Sequence, residues 1–167
     1  MSKALLIIAP NNFRDEELFD TKSALEELAV ETEIASTTTN EARGMLGGTA
    51  KPDITLDDVF VDNYNALIFI GGSGSSVYFN DKKALAIAKQ SYESGKITAA
   101  ICIAPSILAN AGILEGKKAT AYSSEAGNLE AKGASYTGKA VEQDGKVITA
   151  NGPQAARAFG EAIANNL

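Results

Sequence analysis

Short apolar runs recur along the chain, each followed by a polar or glycine break and then by a helical pattern. Residues 4–9 are continuously apolar, as in a central parallel strand covered on both faces. Pro10-Asn11-Asn12 ends that run. Leu18, Thr21, Leu25 and Leu28 then mark the apolar face of a helix. Asp15, Glu16 and Glu17 fall in its first turn, where the helix dipole favours acids. Residues 30–35 alternate as a second strand. Residues 37–51 are polar and glycine-bearing, which predicts an irregular excursion or a small hairpin around Gly47-Gly48. Residues 66–70 form another buried strand, ended by Gly71-Gly72-Ser73-Gly74-Ser75, and residues 76–80 lead to a helix over 81–94 closed by Gly95. Residues 97–101 predict the next strand and 103–110 its helix, closed by Gly112. A strand over 118–122 and a helix over 124–132 follow. Gln143-Asp144-Gly145-Lys146 predicts the turn of a hairpin within 141–149. Asn151-Gly152-Pro153 opens a last helix, with Pro153 at its first position, that runs to the C-terminus.

This alternation predicts an α/β fold built on a doubly wound, mostly parallel sheet. At 167 residues the chain is long enough for one domain, 1–167, with a full core. In such sheets ligands bind outside the carboxyl ends of the strands. The breaks at residues 10–17, 71–75 and 102–105 all map to that edge.

The net charge is −6, with no Lys/Arg cluster, which argues against nucleic acid or an anionic membrane as partner. The apolar stretch at residues 4–10 is too short for a signal peptide with its cleavage site, and no segment has the length of a membrane span. A cytoplasmic protein is expected, and its one cysteine allows no internal disulfide. The chain contains no histidine. That removes Ser-His-Asp and Cys-His catalysis and most zinc sites, so no metal or other cofactor is expected. Acid–base chemistry must rest on Glu, Asp, Tyr, Lys or Cys.

The cysteine, Cys102, sits where the apolar run 97–101 meets the following helix, in Ile101-Cys102-Ile103-Ala104-Pro105. A sharp strand-to-helix turn presents a nucleophile at the end of a sheet, and the helix start favours its thiolate. A lone cysteine in an apolar run also suits a small buried hydrophobe. Gly71-Gly72 serves either as a flexible turn or as a place where backbone N–H groups approach a ligand. Its spacing is not that of a dinucleotide fingerprint.

Taken together, Ala99-Ala100-Ile101-Cys102-x-x-Pro105, the earlier Gly71-Gly72 turn and an acidic helix start with Glu17 resemble the ThiJ/PfpI superfamily. At the cysteine elbow the resemblance is closer to its DJ-1 branch. It extends to Gly112-Ile113-Leu114-x-Gly116-Lys117, the Asp144-Gly145 hairpin and Asn151-Gly152-Pro153. It implies a flavodoxin-like three-layer α/β/α sandwich with a nucleophile elbow. Cys102 matches the elbow cysteine and Glu17 the acid beside it. Gly72 and Ile103 match the positions whose N–H groups form an oxyanion-type pocket, with Gly71, Ser73 and Tyr122 as further pocket residues. Members resembling proteases carry His where this chain has Ile103, and the DJ-1 branch carries His where it has Tyr122. A Cys-His peptidase route is therefore closed. The branch's anion-binding arginine has no clear counterpart, with Arg43 the nearest residue.

Three functions remain. The first is a redox-responsive protein in which Cys102 oxidises to sulfinate beside a protonated Glu17. In that reading Glu17→Gln is expected to raise the thiol pKa. The second is a glyoxalase- or deglycase-like enzyme acting on small reactive carbonyls through Cys102 and Glu17. The third is a non-catalytic binding module. The expected partner is a small carbonyl or oxidant, and the family resemblance implies further copies of the chain, as a homodimer or larger homo-oligomer.

Overall fold

The computed structural model describes residues 1–167. In chain order its strands and helices are β1 (Lys3–Ile7), β2 (Asn11–Phe13), α1 (Asp15–Glu27), β3 (Glu31–Ser36), β4 (Ala42–Gly44), β5 (Thr49–Ala50), β6 (Ile54–Thr55) and β7 (Ala66–Phe69). There follow α2 (Lys82–Glu93), β8 (Ile97–Ile101), α3 (Pro105–Asn110), β9 (Lys118–Ala119), α4 (Ala126–Ala131), β10 (Ser135–Tyr136), β11 (Val141–Asp144), β12 (Val147–Ala150) and α5 (Ala156–Ala164).

The central sheet has the order β11-β12-β8-β7-β1-β3-β6, and only the edge strand β11 runs antiparallel to its neighbour. Successive side chains of a strand point to opposite faces. Leu5, Ile7, Leu67, Phe69 and Ala100 therefore pack on one side, with Ala84, Ile87, Ile107 and Leu129 of α2, α3 and α4. Leu6, Ile68, Ala99 and Ile101 pack on the other, with Leu18, Leu25, Phe159 and Ile163 of α1 and α5. The result is the flavodoxin-like α/β/α sandwich. Both faces are covered, which is why these strands are continuously apolar. No helix is long and apolar enough to cross a membrane.

The structure departs from the sequence pattern at several ends. Leu28 lies beyond α1 and is exposed, because the chain turns through a left-handed Ala29 (φ 63°). The 37–51 excursion is more regular than expected: β4 and β5 make a hairpin around Gly47-Gly48, and β2 joins β4 to form a small three-stranded sheet. Only Lys118–Ala119 of the predicted 118–122 strand is extended, and it pairs with β10 outside the main sheet. The Thr120 N–H turns to the Thr149 hydroxyl, and the Tyr122 N–H to the Cys102 carbonyl, so neither extends the strand. The helix expected over 124–132 is confined to α4, after a 3₁₀ turn at Ser123–Glu125. Pro153 starts a 3₁₀ turn rather than the last helix, which begins at Ala156 and ends at Ala164.

Candidate active site

The C-terminal ends of β1, β7 and β8 converge where the strand order reverses, the usual position of a ligand crevice in doubly wound sheets. Cys102 follows β8 directly and stands at φ 65°, a left-handed conformation uncommon for a residue with a side chain. Its neighbours hold it there. Its N–H donates to the Ala150 carbonyl at 2.9 Å, and its carbonyl accepts from the Tyr122 N–H at 2.8 Å. The Ala104 N–H closes the turn on the Ile101 carbonyl, and Pro105 opens α3. The thiol is partly exposed.

Glu17, in the first turn of α1, is completely buried. Neither of its carboxyl oxygens has a well-aligned hydrogen-bond partner, although the Cys102 thiol and the Gly71 N–H lie beside it. Burial pushes the Glu17 carboxyl up to about 7. Burial and the adjacent Glu17 carboxylate push the Cys102 thiol up to about 12, against the opposing pull of the Gly72 and Ile103 N–H groups. Both groups shift upward, where the sequence reading expects a lowered thiol. A second buried anion would be repelled and poorly solvated, so the corner favours at most one negative charge on the pair.

Gly71 and Gly72 are required by close packing. A side chain at Gly71 would meet Glu17 and Cys102. Gly72 has φ 100°, and a Cβ there would come within 2.6 Å of the Phe13 backbone. The Gly71 carbonyl accepts from the Arg14 N–H at 3.0 Å, which ties the two strand ends together.

A cavity of about 540 Å³ opens over these residues. Cys102, Glu17, Gly72, Ile103, Ser73 and Tyr122 all line it, while Gly71 lies just beneath. Tyr122 is half-exposed. Ser76 also faces the cavity, but Ser75 is buried with its hydroxyl on the Gly72 carbonyl.

Arg14, Met45 and Glu125 also line the cavity, with Phe79, Ser124 and Pro153, and the first three escaped the sequence reading. Arg14, not Arg43, is the cavity's arginine, and its guanidinium grips Glu16 through two hydrogen bonds of 2.8 and 3.1 Å. The adjacency of Arg14 to the acidic turn was the available signal. Met45 reaches over from the β4–β5 loop, and its Sδ accepts from the Ser73 N–H at 3.4 Å. Glu125 comes from the 3₁₀ turn after Tyr122, and nothing in its local sequence distinguishes it from a surface acid.

Comparison with known proteins agrees with this architecture. The model of the DJ-1/PfpI family matches residues 2–166. An uncharacterized protein of Methanocaldococcus jannaschii is 43% identical over 162 residues, covering 95% of this chain and 79% of that protein. The deglycase PfpI of Pyrococcus furiosus is 32% identical over 149 residues, covering 89% of this chain and 90% of that protein. Among solved structures, a ThiJ/PfpI domain protein from Brachyspira murdochii superposes with a TM-score of 0.96 at 31% identity, covering 99% of this chain and 97% of that one.

Proposed function

Because the chain belongs to the DJ-1/PfpI family, we propose that it acts on small reactive carbonyl compounds, with Cys102 as nucleophile and Glu17 as proton carrier. The observation that carries this reading is a completely buried carboxyl, pushed up to about 7, set against a partly exposed thiol on the same cavity. A base titrating near neutrality can take a proton and return it at physiological pH. The kinship with a protein named deglycase supports the same chemistry.

For a 2-oxoaldehyde the steps balance without a cofactor. The sulfur of Cys102 bonds to the aldehyde carbon as the thiol proton passes to Glu17. The carbonyl electron pair moves onto oxygen, in reach of the Gly72 and Ile103 N–H groups. Glu17 returns the proton to that oxygen, giving a hemithioacetal. It then removes the hydrogen from the sulfur-bearing carbon and delivers it to the neighbouring one, while the hemithioacetal hydroxyl proton passes to the neighbouring carbonyl oxygen. This leaves a 2-hydroxyacyl thioester on Cys102, and water releases the 2-hydroxy acid and the free thiol. The test is lactate formation from methylglyoxal. Turnover by the wild type and none by Cys102→Ala is the expected result. Equal rates in the two proteins would refute the reading.

Oxidation of Cys102 to sulfinate is the second reading. It is favoured by one feature: the Gly72 and Ile103 N–H groups at the sulfur suit the oxygens of a sulfinate. The raised thiol pKa weighs against it, since peroxide attacks the thiolate. Mild peroxide followed by intact mass measurement decides. A gain of two oxygens at Cys102 supports sensing, whereas oxidation confined to Met1 and Met45 removes it.

A further inference from the structure

The proposed reaction ends with water attacking a thioester, and a chain without histidine must find a base for that step. Glu17 is completely buried against the thiol. Glu125 is different: it is half-buried on the wall of the same cavity, where water reaches it. No lysine or arginine pairs with it.

Its position is fixed relative to Cys102 in two ways. Along the backbone, the Tyr122 N–H donates to the Cys102 carbonyl at 2.8 Å, and the Glu125 N–H donates to the Tyr122 carbonyl at 2.9 Å. Through side chains, the Ser106 hydroxyl donates to Oε1 and the Ser124 hydroxyl to Oε2, both at 2.7 Å. Ser106 is itself on α3, the helix that starts three residues after Cys102. Asn128 donates to both Ser106 Oγ and Asn110 Oδ1 at 3.1 Å, which clamps the Glu125 turn onto that helix. A carboxylate held this firmly on the wall of the cavity that Cys102 also lines, without a cation, is oriented rather than merely solvated.

We propose that Glu125 is the base that takes a proton from the water attacking the Cys102 thioester, with Ser106 and Ser124 as its positioning residues. This rests on the carbonyl reading above. The water oxygen bonds to the acyl carbon and the carbon–sulfur bond breaks. The proton held by Glu125 passes to the departing sulfur, which restores the thiol.

The experiment compares wild type, Glu125→Gln and Glu125→Ala on methylglyoxal. Glu125→Gln keeps the side chain's size, so its fold is retained and checked by circular dichroism. Its kcat is expected to fall about 100-fold with little change in KM. A thioester on Cys102, cleaved by hydroxylamine to the hydroxamate, is expected to accumulate during turnover. Added formate is expected to restore turnover to Glu125→Ala, which a merely structural role for Glu125 would not allow. Wild-type turnover in Glu125→Gln, or loss of turnover with neither thioester accumulation nor formate rescue, would overturn the proposal and leave the carbonyl reading standing. A wild type that forms no lactate through Cys102 overturns both.

Discussion

The carboxyl of Glu17 fills the space that a side chain at Gly71 would need. The two residues come from different strand–helix connections, so this contact locks the end of β7 against the start of α1. Cys102 lies on the third side: a Cβ at Gly71 would also come within 2.6 Å of Cys102 Cβ and of the Ile101 carbonyl. One missing side chain thus lets an acid and a thiol share a buried corner.

Gly71→Ala should therefore cost more than an ordinary glycine substitution. The added methyl meets the Glu17 carboxyl, which can be pushed aside, but also Cys102 Cβ and the Ile101 carbonyl, which cannot. Overpacking of this kind destabilises by roughly 1–3 kcal/mol. Thermal denaturation should show a lowered Tm, and Cys102-dependent turnover should fall further than the stability loss explains, because Glu17 is pushed off the thiol. A variant with the wild-type Tm and full turnover would contradict this packing.

The raised pKa of Glu17 carries a stability consequence. A carboxyl whose pKa is higher in the folded state stabilises the fold below its unfolded value and loses that contribution as pH rises through the folded value. For Glu17 the window runs from 4.5 to about 7. The contribution lost across it is roughly 3 kcal/mol. Urea midpoints measured across that window should fall more steeply for the wild type than for Glu17→Gln, whose amide carries no charge at any pH. Parallel curves would mean that Glu17 is not held neutral in the fold.

The same pair predicts a shift at sulfur. The Glu17 carboxylate is among the causes that raise the Cys102 thiol, so removing its charge should lower it. Iodoacetamide alkylation followed against pH should give Glu17→Gln an earlier midpoint than the wild type, and faster modification at neutral pH. This sign separates the base reading from one in which a protonated Glu17 stabilises a thiolate. In that case Glu17→Gln would move the midpoint up.

The layers of the sandwich were legible because its strands are buried on both faces and so read as unbroken apolar runs, as at residues 4–9 and 66–70. Cys102 was legible because an apolar strand ends on it and proline follows three residues later. Glu17 and Gly72 came from family likeness joined to chemistry. Arg14, Met45 and Glu125 were not legible because their roles depend on partners brought in by tertiary packing. Met45 finds Ser73 across 28 positions, and Glu125 finds Ser106 across 19. The upward shift of both Glu17 and Cys102 was hidden for a related reason. The motif shows that the two groups are close, whereas the depth of their burial sets the direction in which they shift.

Asp15 shows how such a long-range partner can be tested. The sequence places it with Glu16 and Glu17 as one of three acids at a helix start. In the fold it turns away from solvent and is 8% exposed. Its Oδ1 accepts from the Leu46 N–H and its Oδ2 from the Gly48 N–H, both at 2.8 Å. Gly44 and Gly48 leave it the room, since a Cβ at either would come within 2.6 Å of its carboxyl. The acid thus holds the β4–β5 loop that carries Met45 over the cavity. Asp15→Ala leaves two N–H groups without their acceptor, at a cost of about 1–3 kcal/mol. Asp15→Asn should lose nearly as much, because its amide nitrogen cannot accept from the second N–H. Limited proteolysis should then cut both variants within residues 45–48 while the wild type stays intact. Resistance equal to wild type would show that the loop is held by β2 and β5 alone.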